Sequence, residues 1–239
     1  MTETVAIALI TGGIGIIAGI ISGIFSWMIS NRSIKHDVEK RKLDIEEQNQ
    51  KEIAQTISQI KVIISNLRYL YPQAIKNGFD HYRYHFADEI YRNLNIEEKE
   101  LLAKATKPEQ RAVHEECIRQ RDIGIERNRN LKDETSERDK VLIRDISNAI
   151  DNLISAMSML SFLSDTDLFE EEKKVSELKN VALLPSALEI KAKMDKIKDV
   201  DELNNFTAQH VNETLATVKR SFDIALEPIL KKISEVKVY

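Results

Sequence analysis

The chain has 239 residues, enough for one domain or two small ones, and a formal net charge of only −4 at pH 7. Its 35 basic and 39 acidic side chains are interspersed, so bulk electrostatics gives no reason to expect a nucleic-acid partner. The single cysteine, Cys117, excludes an intrachain disulfide and fits a reducing compartment.

An uncharged apolar run occupies residues 5–29 and contains five of the seven glycines. As a helix it would be about 37 Å long, enough to cross the ~30 Å hydrocarbon core of a bilayer. It begins after an acidic residue and is too long for a cleaved signal peptide. Basic residues follow it between positions 32 and 42 and none precedes it. The sequence therefore predicts a transmembrane anchor over residues 1–30, in the inner (plasma) membrane, with the N-terminus outside and the rest cytoplasmic.

The small residues of this run share one side of the predicted helix. At about 100° per residue they fall within an arc of roughly 140°, and bulky apolar side chains cover most of the remainder. Small residues let membrane helices approach closely, as in a glycine zipper. The predicted oligomerisation face consists of Thr11, Gly12, Gly15, Ala18, Gly19, Ser22, Gly23 and Ser26. We therefore expect a homo-oligomer.

The next segment, residues 31–71, is predicted to be a juxtamembrane and heptad helix. Its apolar residues alternate spacings of four and three, the pattern of a helix that packs in a coiled-coil manner. They are Ile53, Ile57, Ile60, Ile64, Leu67 and Tyr71. Pro72 is expected to end this helix, and Asn77 with Gly78 to form a turn.

Residues 72–239 are predicted to form a cytoplasmic helical bundle. Pro108 suits the first position of a helix, and the charged stretch that follows, to about residue 134, fits a solvent-facing helix or a flexible excursion. A second four-three seam spans residues 142–160, widened by Ile143, Ile150, Ile154 and Met157. Acidic residues at 170–172 suit a helix start, and further helices are expected over 186–198 and 201–233, with Pro228 bending the last. The predicted fold class is all-α.

One cluster of side chains could carry metal chemistry. On a helix His81, His85 and either Asp88 or Glu89 share a face that could present ligands to a divalent ion. The catalytic HExxH motif requires glutamate directly after the first histidine, where this chain has a tyrosine. The ordinary interpretation of these histidines is amphipathic packing, so we predict no metal, no cofactor and no catalytic residue.

A group of tyrosines offers a candidate surface for a protein partner that the sequence does not identify. Tyr82, Tyr84 and Tyr91 supply large contact area with a polar tip. The alternative is that these rings pack the segment after Pro72 against the bundle. A nucleotide-stacking variant would use the nearby Arg83 and Arg92, although no phosphate-binding loop accompanies them.

Three functions are compatible with this pattern. The favoured one is a non-enzymatic single-pass membrane protein that self-associates through its glycine-rich span and presents a helical interaction or sensing domain. The second is a membrane-disrupting effector of the toxin or phage-defence type, controlled by the cytoplasmic domain. The third is a metal-dependent enzyme using His81 and His85. The layout resembles that of bacterial single-pass proteins with helical cytoplasmic domains, which assigns no residue a role.

Overall fold

The computed structural model describes residues 2–181, 183–184, 187–194 and 196–237. Side chains are described from Ser22 onward, apart from those at 187, 188 and 191 within these ranges. The described residues form helices and no strand, so the all-α prediction is confirmed. In chain order the helices are α1 (Thr2–Lys104), α2 (Pro108–Ser164), α3 (Phe169–Glu177), a short 3-10 helix (Leu178–Asn180), α4 (Ala187–Met194) and α5 (Val200–Glu235).

The first of two compact units is the part of α1 that ends at Ala54. From Ser22 to residue 49 its described side chains are exposed, apart from a half-buried residue 31. They include large apolar groups such as Phe25 and Trp27. Among the residues whose side chains the structure describes, no helix contains an apolar stretch that could cross a membrane. Most of the run at 5–29 lies outside the described side chains, so the predicted anchor stays a prediction.

The second unit, Gln55–Lys237, contains antiparallel helices. The Asn77 side chain of α1 donates a hydrogen bond of 2.8 Å to the Thr135 carbonyl of α2. Further along α1, Asn95 donates to the Asp122 carboxylate, also at 2.8 Å. From the first bond to the second, the residue number increases on α1 and decreases on α2. The two helices therefore form an antiparallel hairpin. The Tyr71 ring of α1 also packs against a phenylalanine of α5, Phe222, with 4.5 Å between ring centroids.

Both predicted seams are confirmed as core. Their side chains are buried because each four-three repeat keeps one stripe of the helix facing its neighbours. The seam residues are Ile53, Ile57, Ile60, Ile64, Leu67 and Tyr71 on α1, and Leu142, Ile146, Ala149, Leu153, Ala156 and Leu160 on α2. The prediction that further apolar residues widen the α2 seam is only partly confirmed. Ile150 and Met157 are buried, but Ile143 is 57% exposed.

The prediction that Pro72 ends a helix is wrong, because α1 continues through it to Lys104. A proline inside a helix lacks one backbone donor and crowds the preceding turn, at a cost of about 3 kcal/mol. On either side of it, Tyr71, Ala74 and Ile75 are buried. Burial of a large apolar side chain stabilises by about 1.5–3 kcal/mol, so packing around Pro72 outweighs the local penalty.

The predicted turn at Asn77 and Gly78 is also wrong, since both residues are helical. A Cβ added to Gly78 would lie 2.3 Å from Cδ1 of Leu184. The missing side chain therefore makes room for Leu184 to approach α1. Asn77 is buried and binds α2 through its amide. Tertiary contacts, rather than a change of chain direction, explain both residue types.

The remaining helices follow the sequence prediction in outline. Pro108 opens α2 as expected, and the charged stretch after it is helical rather than a flexible excursion. Three glutamates occupy the first turn of α3, where carboxylates complement the helix dipole. Helix α4 ends earlier than the predicted helix over 186–198, and α5 contains Pro228 in its interior.

A charged cluster joins α1 to α2 near the loop that connects the two helices. The Glu98 carboxylate accepts hydrogen bonds from His114 Nδ1 at 2.7 Å and from Arg121 Nη1 at 2.8 Å. These two hydrogen bonds hold the pKa of Glu98 below its ordinary value of 4.5, and the bond from His114 has the larger effect. A carboxyl group whose pKa is lowered on folding stabilises the fold above its unfolded pKa and loses that contribution as the pH falls through its folded pKa.

We expect Glu98→Gln to lower the melting temperature of the full chain at neutral pH and to have a progressively smaller effect below about pH 4.5, because acid protonates Glu98 in the parent chain. Thermal unfolding followed by circular dichroism across this pH range measures the difference. Glu97→Gln, at an exposed neighbouring position, is the matched control. A difference for Glu98→Gln that stays constant or widens in acid would contradict the assignment.

Candidate functional site

Three helices of the second unit, α1, α2 and α5, surround a pocket of about 340 Å³. Its volume lies at the lower end of the range typical of small-molecule sites. Among the described residues that line it, none is Asp or Glu. We call it the Tyr–Arg pocket, and its polar and aromatic lining consists of Arg83, Tyr84, Tyr91, Arg127, Asn128 and Asn204.

Arg83 is held in place by its neighbours on α1. Its Nη2 atom donates a hydrogen bond of 2.9 Å to the Tyr84 hydroxyl and lies 3.1 Å from the Asp80 carboxylate. The guanidinium carbon is 4.8 Å from the centroid of the Tyr84 ring, which adds a cation–π contact. A guanidinium group carries five N–H donors, and these contacts use one of its three nitrogens. The Arg83 guanidinium is therefore held in one orientation, and its other two nitrogens can still donate hydrogen bonds.

The α2 side of the pocket supplies a second guanidinium group. Arg127 is exposed and Asn128 is half-buried. Neither has a hydrogen bond or ion pair with another residue in the part of the chain that the structure describes. Arg127 therefore brings a positive charge to the pocket that no described carboxylate neutralises.

Gly124 sets the position of the Tyr91 ring. A Cβ added to this glycine would lie 3.0 Å from Cε2 and 3.2 Å from Cδ2 of Tyr91. The ring therefore lies against the backbone of α2, at a distance that other residue types would disturb. Glycine inside a helix costs about 0.8–1.0 kcal/mol relative to alanine. The close approach of Tyr91 gives this unfavourable residue a structural reason.

The structure brings together two of the three tyrosines that the sequence suggested as a partner surface. Tyr84 and Tyr91 line the pocket, whereas Tyr82 does not and lies with its ring edge-on to His81. Arg92, considered with Arg83 for nucleotide stacking, pairs with Asp88 at 3.1 Å instead. Sequence reasoning missed Arg127, Asn128 and Asn204. Gly124, a lone glycine in a helix-favouring segment, was the available signal.

The candidate metal ligands do not converge. Nδ1 of His81 lies 3.1 Å from the Lys132 carbonyl oxygen and faces α2. Nε2 of His85 lies 3.5 Å from Glu89 one turn further along α1. Among the residues described, no three His, Cys, Asp or Glu side chains are grouped closely enough to hold a metal ion. The histidines belong to helix packing and to a local polar pair.

Only part of the predicted oligomerisation face can be located. Ser22, Gly23 and Ser26 are exposed on α1, and a Cβ added to Gly23 would meet no atom of the described residues within 4 Å. The side chains at the other positions, Thr11, Gly12, Gly15, Ala18 and Gly19, lie outside the described residues. The described end of the face is therefore open within a single copy of the chain.

Comparison of the chain with protein-family models, curated proteins and solved structures finds no match.

Proposed function

We propose that the chain is a non-enzymatic, single-pass membrane protein that self-associates through residues 5–29 and presents the second unit as an interaction or sensing domain. The observation that carries this proposal is the one-sided distribution of small residues in an uncharged run of membrane-spanning length. Small residues allow membrane helices to form many close backbone contacts. The proposed location is the inner (plasma) membrane, with the second unit in the cytoplasm, because the basic residues follow the run.

The described end of this run supports a lipid setting. Ile24, Phe25 and Trp27 are all more than half exposed in a single copy of the chain. Large adjacent apolar side chains are unfavourable in water, but they would be solvated by lipid tails or by a second helix. Trp27 also lies near the end of the run, next to the charged segment that follows it. Tryptophan is enriched at such positions, at the interface between membrane and water.

The self-association can be tested by enlarging the small-residue face. We expect Gly23→Leu to weaken association of the full chain in lipid vesicles at least tenfold, or about 1.4 kcal/mol, because leucine would hold neighbouring helices apart. The same change at Gly19, deeper in the predicted span, should have a similar effect. Energy transfer between separately labelled copies, measured at decreasing protein-to-lipid ratios, gives the association constant.

The control for this test is Ile24→Leu, which keeps a bulky side chain on the opposite face. Since no atom of the described residues lies within 4 Å of a Cβ at Gly23, we expect leucine there to leave a single copy undisturbed, so a loss of association reports packing between copies. Association of Gly23→Leu and Gly19→Leu at the strength of the parent chain would reject the proposal.

A further inference from the structure

We infer that the Tyr–Arg pocket binds a small phosphorylated ligand that carries a planar ring, with nucleotides as the chemical class. This inference goes beyond the proposed membrane function and holds whether or not the chain self-associates. It rests on the charge, the aromatic surface and the size of the pocket, which are independent features of the described residues.

The charge of the lining favours an anion. Arg83 and Arg127 come from different helices and reach the same pocket, and none of the described residues that line it is acidic. Arginine suits phosphate because its planar fork of donors matches two phosphate oxygens at once. Asp80 offsets part of the Arg83 charge, which leaves Arg127 as the principal unneutralised cation.

The start of α5 lies at the edge of the same pocket. Val200, the first residue of this 36-residue helix, and Asn204, one turn later, both line it. The N-terminus of a helix carries partial positive charge and favours anions. Asp199 precedes it, and Asp201 and Glu202 lie in its first turn. The Asp199 side chain caps the helix by accepting a hydrogen bond from the Asp201 amide, and none of the three is among the described residues that line the pocket. These carboxylates offset the positive charge of the helix end, so the inference rests on the two arginines.

The remaining lining suits a planar ring rather than a bare anion. Tyr84 and Tyr91 offer aromatic surface on which a base can stack. Asn128 and Asn204 carry amides that both donate and accept, so they can bind the polar edge of a base or a sugar hydroxyl. A pocket of about 340 Å³ is larger than inorganic phosphate needs. Two arginines, two tyrosines and two asparagines together select a nucleotide-like ligand.

The test is calorimetric titration of the full chain in mild detergent. The probes are the mono- and triphosphates of adenosine, guanosine, cytidine and uridine, the four nucleosides, ribose 5-phosphate and inorganic phosphate. We expect at least one nucleotide to bind with a sub-millimolar Kd and the matching nucleoside, ribose 5-phosphate and inorganic phosphate to bind at least tenfold more weakly. No binding by any nucleotide, or equal binding by phosphate alone, would overturn the inference.

Variants locate the binding in the pocket. We expect Arg127→Gln to weaken nucleotide binding about tenfold, while Arg129→Gln, an exposed position on the same helix that does not line the pocket, leaves binding unchanged. Gly124→Ala should displace the Tyr91 ring and weaken binding, and circular dichroism checks that this variant is folded at the temperature of the titration. Equal binding by the parent, Arg127→Gln and Gly124→Ala would refute this location. Gly23→Leu should bind nucleotide normally, which separates this inference from the proposed self-association.

Discussion

Phe222→Ala is expected to lower the free energy of unfolding by about 3–5 kcal/mol, the range for truncating a buried aromatic side chain. Phe222 has no exposed surface and lies in α5 against the ring of Tyr71, with 4.5 Å between centroids and 32° between ring planes. Truncation would remove this ring pair, worth about 0.5–1.5 kcal/mol beyond burial, and leave a cavity. Domains are typically stable by only about 5–15 kcal/mol, so this loss would be a large fraction of the total.

Urea unfolding of the full chain, followed by circular dichroism, measures the change. The control is Phe162→Ala, since Phe162 is 85% exposed on α2 and its truncation should cost less than about 0.5 kcal/mol. A loss for Phe222→Ala below about 1 kcal/mol would mean that α5 does not pack on α1 as described.

Helical periodicity predicted the core because the spacing of apolar residues along a helix determines which of its faces is buried. The seams that run from Ile53 to Tyr71 and from Leu142 to Leu160 are buried as expected, since apolar residues spaced by three and four necessarily form one stripe. Single helix-breaking residues were less reliable predictors of where a helix ends. Pro72 and Gly78 are residue types that predict helix breaks, but packing of the buried neighbours of Pro72 outweighs its local penalty. Gly78 makes room for Leu184, which is more than 100 positions away in sequence.

The candidate site was partly predictable for a related reason. Tyr84 and Tyr91 lie seven residues apart on one helix, so their common face follows from the sequence. Arg127 and Asn204 reach the pocket from α2 and α5, and the sequence does not specify the register in which these helices meet α1. That register depends on cross-helix contacts such as the hydrogen bond from Asn95 to Asp122. Such contacts cannot be predicted from the sequence before the alignment of the two helices is known.

Asn77 is a cross-helix contact of this kind whose loss should have a large effect. Its side chain is 5% exposed, and its Nδ2 atom donates hydrogen bonds of 2.8 Å to the Thr135 carbonyl and 2.6 Å to the Asp139 carboxylate. We expect Asn77→Asp to cost about 3 kcal/mol at neutral pH, since it removes a donor and places a second carboxylate against two acceptors in a buried setting. Urea unfolding at pH 7 measures the loss.

The shape of the side chain is nearly unchanged by Asn77→Asp, so the loss reports hydrogen bonding and charge rather than packing. Asn93→Asp, at an exposed position on the same helix, should change stability by less than about 0.5 kcal/mol. Burial and the Asp139 carboxylate raise the pKa of the introduced carboxyl. As the pH falls this group becomes protonated and can donate again, so the gap between Asn77→Asp and the parent chain should narrow in acid. A variant as stable as the parent at pH 7 would mean that Asn77 does not bind α2, and the antiparallel pairing of α1 with α2 would lose the contact that fixes its register at this point.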